Sequence, residues 1–313
     1  MTNKKFKLAA MSLATAVAVS TVGPSASAVT YYLSDGSVTV DQDNNGAYSY
    51  QNKTDGKTEN VYVDEDTQDN GQIIIKQAED TTTDTTTGNT VTVEENVTNE
   101  NGKRDVDIII DGVNVDTSDT STQTDTPAEV LTDNKEDKTI IKVGEGADVD
   151  LTVMDSNLTT GGNGIDIGVD LDGKDENDEN KETNVDLTLD NTKINLTEKD
   201  NTAGIVARDN STVDVTLKGE NTIDGKEALE DAAKEAEEAK KEGTSSPNRN
   251  VEGIRVGGNG VCDDSSGEGA SLTIKGDENS EQGSLKIDHT YTGMVISNGS
   301  DVTLTDNDDV DIN

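Results

Sequence analysis

The chain has 313 residues, with 65 acidic side chains against 25 basic ones, one phenylalanine, no tryptophan and one cysteine. A formal charge of −40 excludes a surface made for nucleic acid or anionic lipid headgroups, and a lone Cys262 excludes an intrachain disulfide framework. Leu, Ile, Val and Phe together make up about a fifth of the residues, at the edge of disorder, yet the β-branched ones gather in short alternating runs between Gly, Asn and Asp, which is an ordered β pattern.

Residues 1–28 read as a secretory signal peptide. Lys4, Lys5 and Lys7 open it, Leu8 to Val22 is its apolar stretch, and Ala26-Ser27-Ala28 is a small-x-small cleavage site. The expectation is a secreted protein, possible also at the cell surface, that begins at Val29, with no transmembrane segment in the mature chain and no sortase-type anchor motif. Residues 29–104 form an amino-terminal β region and cap. "GSVTV", "NVYVDED", "GQIIIKQ" and "NTVTVEEN" are strand-like, Thr/Asp loops separate them, and five of the six tyrosines lie in residues 31–62.

Residues 105–313 repeat. One run recurs as Val106-Asp107-Ile108-Ile109-Ile110, Val149-Asp150-Leu151-Thr152-Val153, Val185-Asp186-Leu187-Thr188-Leu189 and Val213-Asp214-Val215-Thr216-Leu217, and then in shorter form as Leu272-Thr273-Ile274 and Val302-Thr303-Leu304. Its period of two puts aliphatic residues on one face and Asp and Thr on the other. A second run precedes most copies: Ile141-Lys142-Val143, then Gly164-Ile165, Gly204-Ile205, Gly253-Ile254 and Gly293-Met294 with their neighbours. Turns such as "RDNS" and "SNGS" join the two runs in compact units, and "GVDLDGKDENDENKET" or "GGNGVCDDSSGEG" replaces them in swollen ones. Residues 226–242 read as a helical insertion with a surface position. Asp224 and Glu227 suggest a capping box, Gly243 a C-cap, and Glu230/Lys234 and Glu237/Lys241 favourable pairs.

Tandem sandwiches would need aromatic residues to fill their cores, and leucine-rich repeats would need Leu at fixed offsets. A narrow solenoid filled by Val, Ile and Leu needs neither. The predicted fold is all-β, a right-handed parallel β-helix with one short surface helix insertion and on the order of ten coils.

"GIVARDNSTVDVTLKGENTI", "GIRV…GASLTIKG…GSLKI" and "GMVISNGSDVTLTD" resemble the secreted β-helix proteins of Gram-positive anaerobes described as carbohydrate-binding domain proteins, whose fold is like that of pectate lyases. The resemblance spans residues 105–313. It implies a parallel β-helix, calcium sites in loops, and binding of cell-wall or plant polysaccharide.

Three acidic loops are candidate calcium sites. Asp41, Asp43, Asn45 and Gly46 match the first half of an EF-hand-like loop, with Asn52 where its closing Glu would stand. Asp170, Asp172, Asp175 and Asp178 form the second, and Asp306, Asp308, Asp309 and Asp311 the third. For a lyase, the candidate bases near repeat ends are Arg208, Arg255 and His289, the only histidine. No zinc cluster can be built from one histidine and one cysteine, and "GGNG" at 161–164 and 257–260 reads as turns. The expected function is non-catalytic binding of polysaccharide or a host-surface glycan, assisted by calcium. The alternatives are a lyase or hydrolase acting on uronic-acid polymers, and a structural spacer.

Overall fold

A computed structural model describes residues 29–42, 48–54, 57–60, 72–78, 86–95, 97, 107–118, 138–171, 181–244, 250–258, 269–277, 283–297, 299–305 and 309–312. The predicted signal peptide, residues 61–66 of the "NVYVDED" run and Cys262 lie outside these residues.

The chain winds through successive coils, of which the third to the seventh each visit three sheets in the same order. The first coil is β1 (Val29–Tyr32), a 3₁₀ turn (Leu33–Asp35) and β2 (Val38–Gln42), followed by a hairpin of β3 (Tyr48–Thr54) and β4 (Lys57–Asn60). The second holds β5 (Gln72–Lys76) and β6 (Val91–Val93), with Thr87 bridging to Val115 between them. The third is β7 (Asp107–Asp111), β8 (Asn114–Asp116) and β9 (Ile141–Gly144). The fourth is β10 (Asp148–Met154), β11 (Asn157–Thr160) and β12 (Ile165–Val169). The fifth is β13 (Thr183–Asp190), β14 (Lys193–Leu196) and β15 (Thr202–Ala207). The sixth is β16 (Ser211–Lys218), β17 (Glu220–Asp224), helix α1 (Lys226–Glu242) and β18 (Val251–Val256). The seventh is β19 (Ser271–Gly276), β20 (Ser284–Asp288) and β21 (Thr292–Ile296), and the eighth adds β22 (Asp301–Leu304) and β23 (Asp309–Ile312).

Stacking these coils yields sheet I, eight strands from β1 to β22; sheet II, six strands from β8 to β23; and sheet III, nine strands from the β4 end to β21. Among the described residues all pairings between coils are parallel, and only the β2–β3 and β3–β4 pairings are antiparallel. This is a parallel β-helix, as the patterning predicts. Among the described residues the coils pass eight times through sheet I rather than about ten, because several are lengthened by insertions: Leu187 pairs with Val215 after 28 residues, but Val215 with Ile274 after 59.

The repeat has three runs, not two. The third, in sheet II, is short. Leu158, Ile194, Ile223 and Ile287 stack in register there, each buried to 1% exposure or less. With Leu151, Leu187, Val215 and Ile274 of sheet I and Ile165, Ile205 and Ile254 of sheet III they fill the interior. These columns consist of aliphatic residues alone.

Corners carry left-handed residues of the types that tolerate them. Gly112, Asp155, Asn191 and Gly219 turn the chain from sheet I to sheet II, and Gly146, Asn210 and Gly299 turn it from sheet III back to sheet I. The amino-terminal region supplies the first two coils in the same sheets, and its distinct feature is the β3–β4 hairpin laid along the outer edge of β2.

At the start of the sheet III run, Gly164, Gly204, Gly253 and Gly293 form a column. A Cβ on Gly204 would lie 2.8 Å from the carbonyl oxygen of Gly253 and 2.6 Å from Ile223 Cγ2; one on Gly253 would lie 2.4 Å from the carbonyl of Gly293. The neighbouring backbone cannot retreat without breaking its own ladder. Gly253→Ala is therefore expected to lower stability by about 1–3 kcal/mol in a urea melt, and an unchanged midpoint would show that the column is not close-packed.

Candidate functional site

The acidic loops come first. Asp41 sits in β2 and Asp170 directly after β12; Asp43, Asn45, Gly46, Asp172, Asp175, Asp178, Asp306 and Asp308 lie outside the described residues. Asn52 belongs to β3, opposite Val38, and Asp309 and Asp311 to β23. Among the described residues no three His, Cys, Asp or Glu side chains are grouped to hold a metal ion.

Each of the three basic candidates meets a carboxylate. Asp166 stands between inward-facing Ile165 and Ile167, so it projects from the opposite face of sheet III. Arg208 leaves the end of β15 and meets it with a two-pronged contact, Nε to Oδ1 at 2.8 Å and Nη2 to Oδ2 at 2.9 Å. Asn163 donates to Oδ2 at 2.7 Å and accepts from the Ala203 N–H, which ties the pair to the next coil. Asp166 is 2% exposed. Arg255, on β18, donates from Nε to Glu252 Oε2 at 2.6 Å, and both side chains are almost covered. Both pairs lie on sheet III.

His289 lies elsewhere, at the corner after β20, with Nδ1 3.1 Å from Asp224 Oδ1 and 3.5 Å from Asp288 Oδ1. The hydrogen bond from Lys286, with the charge of His289, holds the Asp288 carboxyl below the usual carboxylate range. Asp224 also accepts from the Lys226 N–H at 3.0 Å. This replaces the expected capping box with Glu227: the N-cap is Gly225, squeezed so closely that a Cβ would lie 2.5 Å from the His289 carbonyl oxygen. The far end matches the sequence reading, for Gly243 is left-handed and donates to the Ala239 carbonyl.

Helix α1 lies on sheet II. Ala228 and Ala232 are buried, and Leu229 packs against the core. Small side chains let the helix approach, and Glu235 ties it to Lys199, just beyond β14, by an ion pair. Between helix and sheet is a cleft of about 500 Å³. Its floor is Thr159, Asn195 and Leu196, its end is Asp224, and its wall is Lys226, Glu227, Glu230, Asp231 and Lys234 of the helix. Asn195 Nδ2 donates to Asn157 Oδ1 and Thr159 Oγ1, so the floor is a fixed row of hydrogen-bonding groups. On the wall, Lys226 pairs with Glu230 at 4.0 Å, while Lys234 turns to Asp231 at 2.8 Å instead of the expected Glu230. The helix was legible in the sequence; the cleft was not, because its floor comes from strands one and two turns of the chain away.

The outer face of sheet I is regular. Asp107, Asp150, Asp186 and Asp214 stack in register, and Thr152, Thr188 and Thr216 run beside them. In the next row Asp190 lies between Met154 and Lys218. Burial, then the Asp155 charge, pushes the Asp190 carboxyl above its ordinary value, against the opposing pull of Lys218.

No protein-family model matches the chain, and neither a curated protein nor a solved structure matches it. Among the described residues no helix is long and apolar enough to cross a membrane.

Two outcomes follow from these charges. Asp166→Ala strands a largely covered Arg208 and is expected to cost about 3 kcal/mol, with part recovered in the double variant Asp166→Ala/Arg208→Ala; equal midpoints for wild type and single variant would contradict a buried pair. Asp190 binds its proton more tightly when folded, so stability is lost as pH rises through the carboxylate range to the raised folded value. Asp190→Asn should therefore raise the thermal midpoint at neutral pH, with the gain vanishing below about pH 3, where both side chains are uncharged.

Proposed function

We propose that the protein is a secreted, non-catalytic β-helix that binds polysaccharide in the cleft between helix α1 and sheet II. The observation that carries this reading is the lining of the cleft: amide, hydroxyl, carboxylate and ammonium groups converge on about 500 Å³, with Leu196 as the apolar member. Such groups match the vicinal hydroxyls of a sugar chain, each as donor or acceptor. The carboxylates outnumber the ammonium groups, so neutral saccharides fit better than uronic-acid polymers. The engagement of Arg208 and Arg255 in ion pairs on another sheet also favours binding over lyase chemistry. One cleft makes a modest affinity, and a polymer offering many equivalent sugars to several molecules raises it by multivalency.

Calcium belongs to this proposal through the acidic loops around Asp43, Asp172 and Asp308, where "DQDNNG" in particular spaces oxygen ligands as calcium loops do. Four in-register carboxylates on sheet I supply a further reason for a divalent ion to favour the folded chain.

Titration with neutral and uronic-acid oligosaccharides, in calcium and in chelator, tests the reading. Asn195→Ala and Glu230→Gln are each expected to weaken binding about 5-fold, with the fold intact by circular dichroism. Binding unaffected by both substitutions would move the site elsewhere, and release of product from a uronic-acid polymer would replace binding by catalysis. Calcium is expected to raise the thermal midpoint and chelator to lower it; a midpoint indifferent to both removes the metal from the proposal.

A further inference from the structure

The floor of the cleft has a spacing as well as a composition. Thr159, Asn195 and Asp224 are in-register neighbours on β11, β14 and β17, in three successive coils, and Asp116 and Asp288 continue the row on either side. The central three alternate with buried Leu158, Ile194 and Ile223, so the row stands on the outer face of sheet II. Its members follow one another at about 4.8 Å along the solenoid axis. Hydrogen bonds fix what each presents. Asn195 engages its Nδ2 with Asn157 and Thr159, which leaves Oδ1 as its acceptor and the Thr159 hydroxyl hydrogen as a donor. Asp224 takes the Lys226 N–H on Oδ1 and keeps Oδ2. On the wall, Lys226, Glu230 and Lys234 recur at four-residue intervals, about 6 Å apart along the helix.

The geometry points, on the saccharide-binding reading of this cleft, to one class of glycan: an extended, neutral, β-1,4-linked chain that lies along the solenoid axis with successive sugars on successive coils. A pyranose joined equatorially at both linkage positions advances its chain by nearly one coil spacing. A straight ribbon of such sugars therefore keeps step with Thr159, Asn195 and Asp224. An α-1,4 chain curls, and its hydroxyls leave the row after one sugar. A chain laid across the axis, along a strand, fits worse, because outward groups recur there only every second residue, about 6.6 Å apart, and β14 has four residues. Asp224, Glu227, Glu230 and Asp231 line the same cleft and would repel a carboxylate carried on each sugar. Three coils supply the floor, so three consecutive sugars are held.

Calorimetric titration of the full protein tests this, with β-1,4-linked oligomers of glucose, mannose and N-acetylglucosamine and α-1,4-linked oligomers of glucose, each from two to five units. Affinity for at least one β series is expected to rise about 5-fold from two units to three, as one more member of the row is engaged, and then to level off. The α series is expected to bind about 20-fold more weakly at three units, having lost two of the three floor contacts. Thr159→Ala, at one end of the central three and partly exposed, should leave the two-unit oligomer unchanged and abolish the gain from the third sugar. A wild-type-like circular dichroism melt verifies that this variant folds. Equal affinity for α and β series, or no gain from two units to three, overturns the inference; if Asn195→Ala still weakens binding, the cleft remains the site. Failure of every β series to bind overturns the inference as well. Failure of all four series, or binding indifferent to Asn195→Ala, removes the cleft reading and this inference with it.

Discussion

Parallel stacking in register governs this molecule. Each strand lies on its counterpart from the previous coil at about 4.8 Å, so whatever residue type occurs at one position meets its equivalent above and below. For aliphatic positions the rule is favourable: Leu151, Leu187, Val215 and Ile274 make a continuous column. For Gly164, Gly204 and Gly253 it is a restriction, since the carbonyl of the following coil occupies the space a Cβ would need. For Asp107, Asp150, Asp186 and Asp214 it is a cost, with like charges held side by side. The unusual acidity of the chain is thus not spread evenly; part of it is arranged in lines by the fold itself.

That rule also explains what could be read from the sequence. The runs of sheets I and III are long enough to show period two, and their Gly-Ile and Asp-x-Thr signatures repeat visibly. The sheet II runs, such as Asn157–Thr160 and Lys193–Leu196, hold two inward residues each and so show almost no periodicity. Helix α1 was legible to the residue because its propensity and its terminal Gly243 are local features. Its N-terminal cap was not, because Gly225 is set by the carbonyl of His289, 64 positions later in the chain. The Asp166–Arg208 pair was hidden for the same reason: 42 positions separate its members, and only the stacking register brings them together.

The proposed site follows from an insertion rather than from the repeat. The helix enters at the corner between sheets II and III, after β17, and leaves the register of sheet II intact on both sides. The core does not notice it beyond Ala228, Ala232 and Leu229. Its charged wall then makes a concavity where the bare solenoid would offer only a flat face. The sequence between β12 and β13 and between β18 and β19 is long as well, and it is acidic or glycine-rich.

The stacking has a mechanical consequence as well. Eight passages through sheet I give a rod on the order of 35–40 Å long, with its backbone hydrogen bonds lying along the axis rather than across it. Tension applied between the two chain ends loads those bonds one rung at a time, as in opening a zip, instead of shearing a whole sheet at once. The rod would therefore lengthen coil by coil at modest force, and the 59-residue coil carrying α1 would release about twice the length of a compact one. A protein built this way, stiff at rest, behaves under pull as a stepwise extensible tether.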